Sequence, residues 1–116
     1  MTDKELVLAY LRGGSIGKLN LVWADLRVMY LTKCNLSGAN LSCANLSWAN
    51  LSEANLSESN LKGANLSGAN LCGVDLCGAD LTGADLSGAD LTNAKLTGSK
   101  LLEANLSGAT DRKRHV

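Results

Sequence analysis

The chain has 116 residues, 11 Lys and Arg against 11 Asp and Glu, one His and no Pro. That length makes one domain, the formal net charge is zero, and no direct binding to nucleic acid is expected, a weak contact of the basic C-terminal tail with nucleic acid or an anionic surface being the lesser alternative to a solvated end. No apolar run approaches the length of a membrane span, so no membrane contact is expected.

Residues 1–15 stand apart from the rest. Thr2-Asp3-Lys4-Glu5 reads as a capping box, in which Thr and Glu would satisfy each other's backbone N–H groups. The pattern predicts a short helix over 3–12, with Leu6, Ala9 and Tyr10 on one face and Val7 and Leu11 nearby. Gly13-Gly14 ends it. The apolar stretch from Leu6 to Leu11 is too short for the core of a secretory signal and follows acidic residues. The expected location is therefore the cytoplasm. Such a helix either covers the open end of the following structure or docks on a partner.

From Ile16 to Leu106 an aliphatic residue falls on every fifth position, Leu at all but the first. On an α-helix a period of five advances about 140° per step and spreads the leucines over all sides. On a flat strand it alternates faces. The leucines share one interior only if the chain turns a corner once per pentad. With each Leu called position i, position i−2 is small, i−1 is Asn or Asp from Asn35 to Asp90, i+1 is mostly Ser or Thr, and i+2 is often Gly. Small and large apolar residues thus alternate inward, while the other positions suit tight, solvated turns. The core is expected at Leu36, Leu41, Leu46, Leu51, Leu56, Leu61, Leu66, Leu71, Leu76, Leu81, Leu86 and Leu91.

The run Ala39-Asn40-Leu41-Ser42-Cys43-Ala44-Asn45-Leu46-Ser47-Trp48 resembles the motif A-[DN]-L-x-x of the pentapeptide repeat family, twice over. The resemblance covers residues 16–110. It implies an all-β solenoid, a right-handed quadrilateral parallel β-helix with four pentads per coil. Each coil would bury its leucines against its neighbours.

With four pentads per coil, residues 20 apart stack. Asp75, Asp80, Asp85 and Asp90 then form a ring, one on each face, with Lys95 below Asp75 and Lys100 below Asp80. Glu53 falls below Lys33 in the same way. These pairs read as surface ion pairs that hold register. The aspartate ring reads alternatively as an acidic belt for a basic partner, but four faces cannot converge on one metal ion. Trp23 and Trp48 occupy outward i+2 positions; they form a recognition patch or pack under the N-terminal helix. Cys34 points inward, and Cys43, Cys72 and Cys77 outward, with no metal-site spacing.

Residues 111–116 form a basic tail, expected to be disordered. With no cap there, the last coil is open, and Leu102 lies at an outward position on it. That arrangement suggests a homodimer through the C-terminal coil. No catalytic constellation, metal site or cofactor motif is present, since the lone His115 lies on the tail. The expectation is a non-enzymatic scaffold or protein-interaction module with an unknown protein partner. The resemblance implies an alternative, because some members look like DNA duplexes and bind type II topoisomerase (gyrase), giving quinolone resistance. That mimicry needs a strongly negative rod, whereas residues 16–110 hold eight acids and six bases, a net of 8 − 6, or two negative charges.

Overall fold

The computed structural model describes residues 1–12 and 20–112. Gly13, Gly14, Ile16, Lys18 and most of the basic tail lie outside these residues, so their expected roles are untouched. The chain forms a rod with principal extents of 44 × 24 × 23 Å. It is a right-handed parallel β-helix of four sides.

Each side is one pentad. Parallel β-bridges link i−1 positions 20 residues apart throughout, from Asn20↔Asn40 to Asp90↔Thr110. We label the sides by their leucines: face A carries Leu21, Leu41, Leu61, Leu81 and Leu101, and faces B, C and D begin at Leu26, Leu31 and Leu36. Coils are counted from residue 20 in steps of 20. The ladder on face B shows the pattern. Leu26 N–H donates to Asn45 C=O at 2.8 Å, Val28 N–H to Ser47 C=O at 3.1 Å, and Asn45 N–H to Ala24 C=O at 2.9 Å. Every side therefore satisfies its backbone on neighbouring coils, which is why proline is excluded.

The corners explain the period. At each one except that between Leu26 and Met29, the N–H of the next i−2 residue bonds back to the Leu carbonyl, as from Ala64 to Leu61 at 3.0 Å. The i+2 residue between them has positive φ at every corner from Trp23 to Gly108. This is a tight turn with a left-handed third residue, and Gly is its natural occupant. A second brace precedes the corner. The i−1 side chain accepts the i+1 backbone N–H, as Asn65 Oδ1 does from Ser67 at 2.9 Å, and often the i+1 hydroxyl as well, at 2.6 Å. Asn and Asp recur at i−1 because a short side-chain acceptor reaches two residues on.

The interior is a column of Leu at i and Ala at i−2. The leucines from Leu36 to Leu86 are at most 1% exposed. Leu91 departs from the expected core: it is only partly buried, as are Leu96 and Leu101, and Leu106 is 43% exposed. These leucines line the end of the stack, with no full coil beneath them among the described residues. Ser59 takes an inward i−2 position and hides its polarity by donating to the Leu56 carbonyl at 2.6 Å.

Helix α1 spans Asp3–Arg12. Its capping box forms in both directions, Thr2 N–H to Glu5 Oε1 and Glu5 N–H to Thr2 Oγ1, each at 3.1 Å. The docked face differs from the expected one. Val7 is fully buried and Leu11 packs on the same cluster, while Ala9 and Tyr10 are exposed. Asp3 adds a contact invisible to apolar patterning: its Oδ2 accepts the Asp25 N–H at 2.8 Å. Asp25 sits on the first described coil, where no preceding strand among the described residues supplies a carbonyl, and the Asp3 carboxylate takes that place.

Candidate interaction surface

The rod concentrates no chemistry at one point. Among the described residues no three His, Cys, Asp or Glu side chains lie close enough to hold a metal ion. Cys34, Cys43, Cys72 and Cys77 are all free thiols. Burial, followed by a hydrogen bond with Asp90, pushes the Cys72 thiol up, and its hydrogen bond with Asp75 does the same for Cys77. Both are thereby made poor nucleophiles.

Asp75, Asp80, Asp85 and Asp90 do form a ring, one per face, and each is half-buried. Each Oδ1 braces a corner, accepting a backbone N–H from Cys77, Thr82, Ser87 or Thr92 at 2.9–3.1 Å. Those bonds hold all four carboxyls below the usual range, the Cys77 N–H leading for Asp75 and the hydroxyls of Thr82, Ser87 and Thr92 for the others. The ion pairs differ from the expected columns in part. Lys33 and Glu53 do meet, at 3.6 Å. Asp80 is paired diagonally with Lys62 at 3.6 Å, and Lys100, its bridge partner, contributes only at longer range. Asp75 likewise feels Lys95 without direct contact. Asp90 Oδ2 reaches Arg112 at 4.0 Å, whereas Asp85 has no basic partner among the described residues.

Trp23 and Trp48 do not pack under α1. They are 76% and 70% exposed. Trp23 caps the A–B corner and Trp48 the B–C corner, where Val28 stands one coil above it. Tyr30, on face C just past Val28, is 84% exposed. Between these corners Asp25 and Arg27 hold each other in a two-point contact of 2.9 and 3.1 Å, which cancels their charges locally. Trp23, Asp25, Arg27, Cys43, Asn45 and Asn65 line an open cleft of about 510 Å³.

All three bulky corner residues have left-handed backbones: φ is 62° at Trp23, 63° at Val28 and 60° at Trp48. A left-handed L-residue costs roughly 1–2 kcal/mol, and a β-branched one is the worst case. The B–C corner carries Gly68, Gly88 and Gly108 in the coils below, so the fold itself prefers glycine there. Trp48 also needs Gly68. Its indole lies across that residue so closely that a β-carbon on Gly68 would sit 2.6 Å from the ring. Glu58 lies over Gly78 in the same fashion. The strain at these corners was hidden in the sequence, where i+2 looked merely outward; its one signal was bulk at a position that is often Gly.

At the far end, Leu91, Ala94, Leu96, Leu106 and Ala109 line an apolar depression of about 320 Å³. Leu102, on face A of the last coil, is 71% exposed.

The repeat model described as "Pentapeptide repeats" matches residues 20–57, 59–98 and 89–110 in eight copies. The chain belongs to the pentapeptide repeat family. A pentapeptide repeat protein from the Arabidopsis thaliana thylakoid lumen superposes with a TM-score of 0.75 at 29% identity, over 83% of this chain. The present chain spans 64% of that protein's length. A pentapeptide repeat protein from Nostoc matches at 36% identity and TM-score 0.60, over 90% of this chain and 75% of the other. The fold is also shared with QnrB1, a plasmid-mediated fluoroquinolone resistance protein, at 19% identity and TM-score 0.53, over 74% of this chain and 46% of QnrB1. No curated protein matches the sequence. No helix among the described residues is long and apolar enough to cross a membrane.

Proposed function

We propose that this chain is a rigid, non-catalytic interaction module that acts in the cytoplasm and binds a protein partner. The observation that carries this reading is the set of bulky side chains held at strained corners of the first two coils. Trp23, Val28 and Trp48 add little to the core, since each is more than half exposed. Trp, Tyr and Arg are the residues that dominate protein interfaces, and Trp23, Arg27, Tyr30 and Trp48 supply all three types. Affinity capture with the wild type and with a Trp23→Gly, Trp48→Gly variant tests it. The reading predicts at least one protein retained by the wild type and lost with the variant; identical captured sets count against it.

Mimicry of DNA toward a type II topoisomerase is the weaker reading. Its support is a shared fold with QnrB1 at 19% identity, which carries no surface with it. The expected result of a gyrase supercoiling assay is no protection from quinolone and no inhibition.

The module is further proposed to pair with a second copy through its C-terminal coil. The half-open leucines there, the exposed Leu102 and the strand edge beneath them favour burial against a like surface.

A further inference from the structure

The corner between faces B and C carries two different features on one straight line. Val28 and Trp48 form an apolar ridge in the first two coils. Below Trp48 the ridge stops. Gly88 and Gly108 continue the corner with no side chain, and a β-carbon on either would meet nothing closer than the backbone of the glycine above, at 3.8–3.9 Å. Asp85 and Asp90 flank this bare stretch, one on each adjoining face.

The two carboxylates differ in what they have left to offer. Asp90 directs Oδ2 toward Arg112 at 4.0 Å. Asp85 uses only Oδ1, for the Ser87 N–H and hydroxyl, so its Oδ2 faces outward without a partner among the described residues. It is ionised at neutral pH, because those hydrogen bonds favour the carboxylate. Beside the ridge, by contrast, charge is already cancelled: Asp25 holds Arg27, and Lys33 meets Glu53. The surface therefore changes from neutral and apolar at Trp48 on the corner to negative at Asp85 on face B. Two coil steps separate them along the rod axis, about 10 Å at the usual strand spacing, and Asp85 also stands three residues to one side of the corner, on face B.

We propose that the B–C corner is the docking surface for a protein segment that places an apolar side chain on Trp48 and a Lys or Arg beside Asp85. The oblique path from the corner onto face B is somewhat longer than about 10 Å, which an extended chain covers in three to four residues, so the two anchors stand about three to four positions apart. The bare glycine corner lets the segment's backbone lie close to the rod. The indole of Trp48, held flat by Gly68, offers a pre-ordered face to the apolar anchor. This names a partner chemistry and a site for the interaction module proposed above, and rests on that reading.

A displayed library of random octapeptides, selected on the intact protein, tests the surface. Trp23 and Trp48 are the only tryptophans, so selected peptides are then titrated by tryptophan fluorescence. The expected selection shares an apolar residue and a Lys or Arg about three to four positions apart. Trp48→Gly should weaken binding at least about tenfold yet leave the melting temperature equal or higher, because it restores the glycine of the lower coils. Asp85→Asn keeps the corner brace and should weaken binding a few-fold while flattening its salt dependence. Asp75→Asn, on the far face D, should change nothing. Selected peptides that are acidic, or whose binding survives Trp48→Gly, overturn the corner site while leaving an interaction module elsewhere on the rod. A selection that yields no binder overturns the corner as a peptide site, and the capture experiment with the double glycine variant then decides the module separately.

Discussion

A residue's place in the pentad decides what its substitution costs. Leu66 is wholly buried in the middle of the column. Leu66→Ala should cost about 2–5 kcal/mol, read from the midpoint of denaturant unfolding. Ser67, its neighbour, is half-exposed and contributes one hydroxyl bond to Asn65, so Ser67→Ala should cost about 1 kcal/mol or less. Equal losses would overturn the inward assignment of the leucines. Glycine is graded by what lies over it. Gly68→Ala meets both a left-handed φ of 67° and the Trp48 ring, whereas Gly83→Ala at 68° meets no atom within 4 Å. Gly83→Ala should therefore lose only the left-handed penalty, about 1 kcal/mol. Gly68→Ala should lose more and also shift tryptophan emission as the indole is pushed outward. Matching losses with unchanged emission would show that Trp48 does not rest on Gly68.

At the scale of the turn, Asn and Asp do one job with different charge. Asn65 and Asp85 stack on face B and brace their corners through the same Oδ1 contact. Asp85→Asn should thus be close to neutral for stability at pH 7. The ring behaves differently in acid. All four carboxyls lie below their ordinary values when folded. Their stabilising contribution is present above the unfolded carboxyl pKa, near 4, and is lost as pH falls through the lower folded values. Thermal melts between pH 7 and pH 2 should show stability falling below about pH 4, and a variant with Asn at all four positions should show a shallower fall. Much of this element was legible beforehand. Period five called for a corner per pentad, and Thr2 with Glu5 marked the helix start. The docked face of α1 was not legible, because Leu6, Val7, Ala9, Tyr10 and Leu11 offer two overlapping apolar stripes and only the shape of the first coil selects Val7. Nor was the Lys62–Asp80 contact, which is diagonal: side-chain reach, rather than the 20-residue register, sets it.

For the whole rod, the two ends are unequal. Helix α1 covers the first coil with Val7 and supplies Asp3 to its free N–H. The last coil leaves Leu106 and Leu102 substantially exposed. If two copies meet there, Leu102→Lys should shift the protein toward monomer in light scattering while β-structure by circular dichroism stays intact. A wild type that is monomeric at high concentration would refute the pairing. The register of 20 has a consequence for how such a rod tolerates insertions and deletions. Adding 20 residues lengthens it by one coil and returns every later side chain to its original face. Adding a single pentad between Gly68 and Asp85 keeps every leucine inside and every corner closed, yet rotates the lower half by a quarter turn. Trp48 and Asp85 would then look out from different sides of an equally well-packed molecule, so the core is blind to an alteration that the surface feels in full.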